Sequence, residues 1–155
     1  MKAKQTQTLK EELATVIGAA KQDTKQLMMS HASLIVIPLL LGETLEAVLC
    51  PQSKEMTTPS ACITHSGDHP LSVLDEGITF SIIVEGETIC ETEDILSAMC
   101  LLMCVHYVFN LVYSKKAANT MTFLQRVVLN ITDDTPAPSK VVKLLYDINA
   151  NLACE

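Results

Sequence analysis

The spacing of apolar positions predicts an amphipathic helix near the N-terminal end of the chain, within residues 1–29. From residue 8 to residue 29 apolar side chains recur every three or four positions, with lysine, glutamate and glutamine between them. Such spacing places the apolar side chains on one helix face. That face either docks on its own domain or pairs with another copy of the chain. The candidate contact residues on it are Leu9, Leu13, Val16 and Ile17.

A short apolar stretch at residues 35–41 follows, and it carries Pro38. Proline inside a helix removes one backbone hydrogen bond and clashes with the preceding turn, so a continuous helix is disfavoured here. A short helix that begins near Pro38 and an extended segment ahead of it both remain open. Gly42 is expected to end the element.

Alternation of apolar and polar residues predicts a two-stranded β-hairpin at about residues 78–91. Every second residue between 78 and 84 is apolar, and Glu85 and Gly86 supply the turn. The only other strand-like segment in the middle of the chain is residues 61–65.

Three helices are predicted in the C-terminal third. The first, at about residues 93–113, begins with Thr92 as its N-cap and is apolar on nearly every side, so we expect it to be the central buried helix. Two amphipathic helices follow, with apolar stripes within residues 121–131 and 141–152 and a short loop at residues 133–139 between them.

These elements predict an α+β fold: one domain over residues 1–155, with a small antiparallel sheet packed against four to five helices. A chain of 155 residues buries roughly two thirds of the surface that its unfolded form exposes. We therefore expect it to fold without a cofactor or a disulfide framework.

Residues 95–113 also satisfy the length rule for a membrane span, because 19 consecutive residues lack a formal charge. Ser97, His106 and Asn110 interrupt the run, and the amphipathic elements on both sides need a core to cover their apolar faces. A buried helix is the favoured interpretation, and no membrane is expected as a partner. A single-span membrane protein is the alternative.

The charge distribution argues against nucleic acid as a partner. Residues 43–94 contain eleven acidic residues and one basic residue, within a net charge of -7, whereas nucleic-acid binding requires a concentrated basic face. The chain has no Trp and only three Phe and three Tyr, so it also offers few aromatic side chains for base stacking.

The chain contains six cysteines, but the polar sequence at its start does not resemble a secretory signal. Two of them, Cys100 and Cys104, lie within an apolar run. We therefore expect reduced thiols and an intracellular location, cytoplasmic or nuclear.

Candidate chemistry is sparse. Cys62, His65 and His69 have the spacing C-x2-H-x3-H and are weak candidates for metal ligands, but a structural zinc site requires a fourth ligand that the sequence does not nominate. A metal-dependent or Cys/His hydrolase is the alternative function that they raise. Cys104 and His106 lie two apart on a helix and face different directions, so His106 is expected to be a core histidine with a satisfied ring nitrogen. With no glycine-rich phosphate loop and no G-x-S-x-G motif, we expect no enzyme.

Five phrases of the sequence resemble a known family. They are LLLGE at 39–43, IIVEG at 82–86, YVFNLVY at 107–113, KK at 115–116 and NTMTFLQR at 119–126. In this order they look like the C-terminal domain of a large, mostly uncharacterised family of vertebrate proteins that is expanded in fish. Some members are similar to mobile-element reading frames, and others to proteins that carry a sterile-alpha-motif domain. Ser114 and Thr122 depart from the family's usual Pro and Glu.

The resemblance implies an intracellular accessory domain and no catalytic residues. It leads us to expect a non-enzymatic protein-interaction or self-association module, part of a larger or mobile-element-derived protein. Its expected partner is a protein or a second copy of the chain.

Overall fold

The computed structural model describes residues 2–52 and 60–152. Two helices precede the four strands and the other helices follow them, the segregated order of an α+β protein, and that fold class is confirmed. The helices are α1 (Lys2–Ala19), α2 (Gln22–Leu40), α3 (Ile95–Val108), α4 (Ala118–Phe123), which continues as a π-helical turn (Leu124–Val128), and α5 (Ser139–Leu152); the strands are β1 (Leu49–Pro51), β2 (Cys62–His65), β3 (Phe80–Val84) and β4 (Glu87–Thr92). Two short 3-10 helices, Leu45–Ala47 and Pro70–Leu74, connect them.

The four strands form one sheet in the order β1-β2-β3-β4. Strand β2 pairs antiparallel with β3, but β1 pairs parallel with β2, so the expectation of a purely antiparallel sheet is wrong. Strand β1 shows no alternation because all three of its residues are buried. A three-residue buried strand therefore has no periodic signal that sequence analysis can detect.

The predicted hairpin is confirmed as β3 and β4. Glu85 and Gly86 both have positive φ angles, 51° and 87°, as a two-residue type I′ turn requires. The register shifts between Ile82, which pairs with Cys90, and Ile83, which pairs with Thr88. This bulge leaves Ile89 as an extra residue on β4.

The single N-terminal helix predicted over residues 8–29 is wrong, because the helix breaks at Ala20 and Lys21. Lys21 has an extended backbone (φ -62°, ψ 148°) and becomes the N-cap of α2. Helices α1 and α2 then pack against each other. The break allows two separate apolar faces to reach the core, which one straight helix would not do.

Pro38 lies inside α2, contrary to both alternatives, a short helix that begins near Pro38 and an extended segment ahead of it. It occupies the last turn, where little of the helix remains to be disturbed. The amide of Gly42 donates to the carbonyl of Leu39 (3.2 Å) and that of Glu43 to the carbonyl of Pro38 (2.8 Å). With Gly42 at φ 74°, these bonds form a Schellman motif and confirm that Gly42 ends the helix.

Helix α3 is shorter than predicted, and its N-cap is Asp94 rather than Thr92. The Asp94 carboxylate accepts hydrogen bonds from the amide and the hydroxyl of Ser97, both at 2.7 Å. At the other end Asn110 has φ 51°, and the amide of Leu111 donates to the carbonyl of His106 (2.8 Å). Asparagine tolerates the left-handed conformation that this Schellman-type ending requires. The chain therefore leaves the helix before residue 113.

Helix α3 is also buried on one face only, which corrects the expectation of an all-round buried helix. Ile95, Ala98 and Leu102 lie in the main core against the sheet, whereas Leu96, Cys100 and Cys104 are exposed. Among the residues that the structure describes, no helix is long and apolar enough to cross a membrane.

Candidate functional site

The three weak metal-ligand candidates do not share a site. Cys62 and His65 begin and end β2, and an odd separation on a strand points their side chains to opposite faces of the sheet. His69 lies outside the sheet as the N-cap of a 3-10 helix, where its Nδ1 accepts a hydrogen bond from the amide of Leu71 (3.2 Å). In the described part of the chain no group of three His, Cys, Asp or Glu residues is placed to hold a metal ion.

Burial also disfavours nucleophilic chemistry at Cys62 and His65. It raises the pKa of the Cys62 thiol to about 12, with the nearby Cys50 as a second cause, so the thiolate needed for attack does not form at neutral pH. His65 is 1% exposed, and neither ring nitrogen has a hydrogen-bond partner among the residues that the structure describes. Burial lowers the pKa of His65, which keeps the ring neutral.

The candidate contact residues of the N-terminal helix are used within the chain. Leu13 is buried in the main core, and Leu9 and Ile17 pack against that core. Val16 is half-buried. Of the two hypotheses for this face, docking on its own domain describes the structure, so the contact surface must be sought elsewhere.

His106 is a core histidine, as predicted. Its Nδ1 donates to the carbonyl of Leu102 (2.9 Å), and its ring meets that of Tyr113 edge to face with centroids 5.0 Å apart. Burial lowers the pKa of His106, and the bond to Leu102 only partly offsets that shift. Cys104 is exposed while His106 is buried, so the two do not form a thiolate pair.

An exposed apolar feature near these residues is the outer side of α3 and the segment that follows it. Five side chains on α3 point to this side and span about 120° of the helix circumference at 3.6 residues per turn, and two more follow the end of the helix. Val108 is 77% exposed and Val112 87%, while Tyr107 and Phe109 are each about half exposed, at 51% and 52%. We call this set the α3 surface: Leu96, Cys100, Cys104, Tyr107, Val108, Phe109 and Val112.

The α3 surface is free of formal charge but has a charged residue pair beyond each end. Between Asp94 and Lys115 the sequence contains no Asp, Glu, Lys or Arg. Glu93 and Asp94 precede the helix, and Lys115 and Lys116 follow it two residues after Tyr113, whose ring contacts His106 in the last helical turn. The chain is therefore acidic just before α3 and basic just after it.

The segment after α3 is held in place by a hydrogen-bonded network. The Tyr113 hydroxyl donates to Oε1 of Gln125 (2.9 Å), and Nε2 of Gln125 donates to Asp133 (3.2 Å). Arg126 bonds both Asp133 and Thr135, which ties the following loop to the same network. Burial, together with the neighbouring Tyr107, raises the pKa of Tyr113 to about 12, so the hydroxyl remains a donor. The exposed Val112 thus sits beside an anchored Tyr113.

Glu43 fixes the helix that follows. One carboxylate oxygen accepts from the amide and side-chain nitrogen of Asn119 (2.9 and 2.8 Å), and the other accepts from the amide and hydroxyl of Thr120 (2.9 and 2.7 Å). Ala117, the N-cap of α4, has no side chain that can cap it. Glu43 therefore satisfies the amides of the first turn from 76 residues away, and its negative charge lies at the positive end of the helix.

Comparison of the chain with protein-family models, with curated proteins and with solved structures finds no match. The site has to be judged on its geometry alone. Sequence analysis did not identify the α3 surface, because a helix whose residues are nearly all apolar has no polar face to mark its outside. The four-residue spacing of Leu96, Cys100, Cys104 and Val108 was the available signal.

Proposed function

We propose that this chain is a non-enzymatic protein-interaction module that binds a protein partner through the α3 surface. The observation that carries the proposal is the set of exposed apolar side chains on the outer side of α3 and in the segment after it, where Val108 and Val112 are more than three-quarters exposed. The largest exposed apolar patch on a protein is often a functional site, and patches beyond a few hundred Å² mark interaction sites.

The size of the surface supports the proposal. Tyr107 and Phe109 are half exposed, so together they offer about one aromatic side chain of contact area, roughly 150–250 Å². Val108, Val112 and Leu96 bring the exposed apolar area to the order of 400–500 Å², the size of the largest apolar patch on a typical monomer, which is often functional. Aromatic side chains near the centre of such a patch commonly dominate binding energy.

Rigidity supports it as well. Helix α3 packs against the sheet along its inner face, and the Tyr113 and Glu43 hydrogen bonds hold the segments that follow it. A preformed surface loses little conformational entropy on binding. By contrast, Cys62, His65 and His106 are buried, an environment that suits packing and not turnover of a substrate. This is why we favour an interaction module over a hydrolase.

We further propose that the module belongs to the vertebrate family whose phrases it carries, as part of a larger or mobile-element-derived protein. Two of the quoted phrases, LLLGE at 39–43 and NTMTFLQR at 119–126, meet in the structure through Glu43 and the pair Asn119 and Thr120. Because the two phrases contact each other in the fold, there is a structural reason for them to occur together in one set of motifs.

An intracellular location, cytoplasmic or nuclear, completes the proposal. Cys100 and Cys104 are exposed on the binding surface, and compartments that keep thiols reduced preserve that surface. Imaging of the tagged full chain in cells checks this, and accumulation in the secretory pathway would contradict it.

Photo-crosslinking in cells tests the binding surface. A photo-reactive amino acid in place of Val108 is expected to give a discrete adduct that disappears when Val112→Asp is added. The matched control places the same amino acid at Val142, which is 53% exposed on α5. Adducts no stronger at position 108 than at position 142 would overturn the proposed function.

A further inference from the structure

We infer that the partner of the α3 surface is a second copy of this chain, packed antiparallel so that Cys100 faces the partner's Cys104. The inference rests on the proposed function and adds the identity and orientation of the partner. Two features of the surface carry it: the opposite charges at its ends, and the small side chains at its centre.

The charges select both the partner and its direction. Glu93 and Asp94 lie before α3, and Lys115 and Lys116 lie after it. An antiparallel copy places the acidic end of one α3 surface beside the basic end of the other. Two-fold symmetry repeats this pairing at both ends of the interface. A parallel copy places acid beside acid and base beside base, which is unfavourable. The surface is therefore complementary to itself in one orientation only, as an isologous interface requires.

The side chains of α3 also fit a close two-fold contact. Cys100 and Cys104 lie in the middle of the exposed face, with Leu96 one turn before them and Val108 one turn after. Cysteine behaves as a small apolar side chain, so two helices can approach to about 8–10 Å between axes. A two-fold axis midway between Cys100 and Cys104 brings Leu96 against the partner's Val108. Large side chains then enclose a centre of small ones.

The exposed area agrees with a moderate dimer. A specific interface buries about 800 Å² per partner. The apolar α3 surface offers roughly half of that, on the order of 400–500 Å², and the charged residues at its ends supply a polar rim. This division between an apolar centre and a charged rim is typical of protein interfaces.

Cysteine crosslinking tests the orientation. Facing residues of antiparallel helices at this spacing have Cα atoms within the range of about 4.4–6.8 Å that a disulfide spans. Cys100 and the partner's Cys100 are offset by four residues, about 6 Å along the axis, which adds to the lateral gap and puts that pair out of range. Two chains are needed, one with Cys100→Ser and one with Cys104→Ser, both also with Cys90→Ser and Cys154→Ser.

Copper(II) phenanthroline is the oxidant. When a disulfide forms, each of the two thiols loses one electron to copper(II) and one proton to the buffer. The expected result is a covalent dimer in the mixture of the two chains and little in either chain alone. Dimers in each chain alone but not in the mixture would show parallel packing and overturn the inference.

Sedimentation equilibrium of the reduced full chain provides the second readout. A monomer–dimer equilibrium is expected, shifted at least tenfold toward monomer by Val108→Asp and unchanged by Val142→Asp. Circular dichroism confirms that each variant is folded. A monomer at every concentration, together with photo-adducts at position 108 to a different protein, would overturn the self-association and leave the proposed function intact. If the chain neither dimerises nor gives photo-adducts at position 108, the self-association and the proposed function are both overturned.

Discussion

Glu43 is a single side chain on which the placement of a whole helix depends. Its carboxylate accepts four hydrogen bonds from Asn119 and Thr120 at the start of α4. Hydrogen bonds to a charged group contribute about 1.5–3 kcal/mol each when tested by deletion, and they are not additive. Because Glu43 lies one residue after the Gly42 turn, the end of α2 and the start of α4 are joined at one point.

We expect Glu43→Ala to lower the free energy of unfolding by about 2–4 kcal/mol, since it leaves several donors of a half-buried helix terminus without an acceptor. Glu43→Gln retains one acceptor oxygen and is expected to fall between Ala and the original residue. Urea denaturation measures both. The control Glu76→Ala removes an exposed carboxylate and should stay within about 0.5 kcal/mol; an equal loss there would remove the special role of Glu43.

The two buried histidines predict how stability responds to pH. Burial lowers the pKa of His65 and His106 below the ordinary value of 6.5, so the unfolded chain binds protons that the folded chain does not. Stability is therefore fully present above pH 6.5 and declines as the pH falls from there toward the folded pKa values. The slope is at most about 1.4 kcal/mol per pH unit for each histidine.

Urea titrations between pH 7.5 and pH 5 measure this dependence. The variant His65→Leu has no titrating ring at that position and should flatten the curve. A slope that persists in His65→Leu at full strength would show that other groups control it.

At the scale of elements, the helix ends explain most of the differences between sequence and structure. The hairpin was predictable because alternation and the Glu85-Gly86 turn agree with each other. The end of α3 was not, because asparagine at position 110 looks like one polar residue in an apolar run until its φ angle of 51° is known. The break at Lys21 has no side-chain cap and left no signal either.

Asn110 gives a direct test of this explanation. We expect Asn110→Gly to leave stability unchanged or slightly higher, because glycine adopts positive φ without steric cost. Asn110→Val should cost about 1–2 kcal/mol, since a β-branched residue strains the left-handed conformation. Thermal unfolding of the two variants checks the difference. Equal stability of Gly and Val at this position would mean that the helix continues beyond residue 109 in solution.

The α3 surface shows which part of the site sequence alone can and cannot reveal. The phrase YVFNLVY lies in the stretch that was predicted to be buried, and part of that stretch does pack inside: His106 is buried and Leu111 packs against the core. Its outer residues, Val108 and Val112, face away. Hydrophobicity predicts that residues avoid water, but only the sheet behind α3 decides which side is covered.

At the scale of the whole molecule, the acidic region of residues 43–94 matters because it ends where α3 begins. Glu93 belongs to this acidic region, whereas Lys115 and Lys116 belong to the slightly basic C-terminal third. Helix α3 lies between the two regions, so the uneven charge along the sequence becomes a charge difference along one exposed face. Exposed ion pairs contribute only about 0.2–1 kcal/mol each, so charge is expected to select the orientation and the apolar centre to supply the affinity.

Charge reversal tests this division of roles. The variant Lys115→Glu with Lys116→Glu puts acidic residues at both ends and should weaken the dimer by roughly five- to tenfold, as several exposed pairs of this strength predict. Adding Glu93→Lys to the same chain cancels the negative charge of Asp94, so the two ends no longer repel each other, and should recover part of the loss. Asp94 is left in place because it caps α3.

Sedimentation equilibrium at about 0.05 M and 0.5 M salt completes the test, because added salt should narrow the differences in dimer affinity between the variants. If the triple variant associates no better than the double variant at low salt, the ends of the α3 surface do not face each other, and the antiparallel arrangement is wrong.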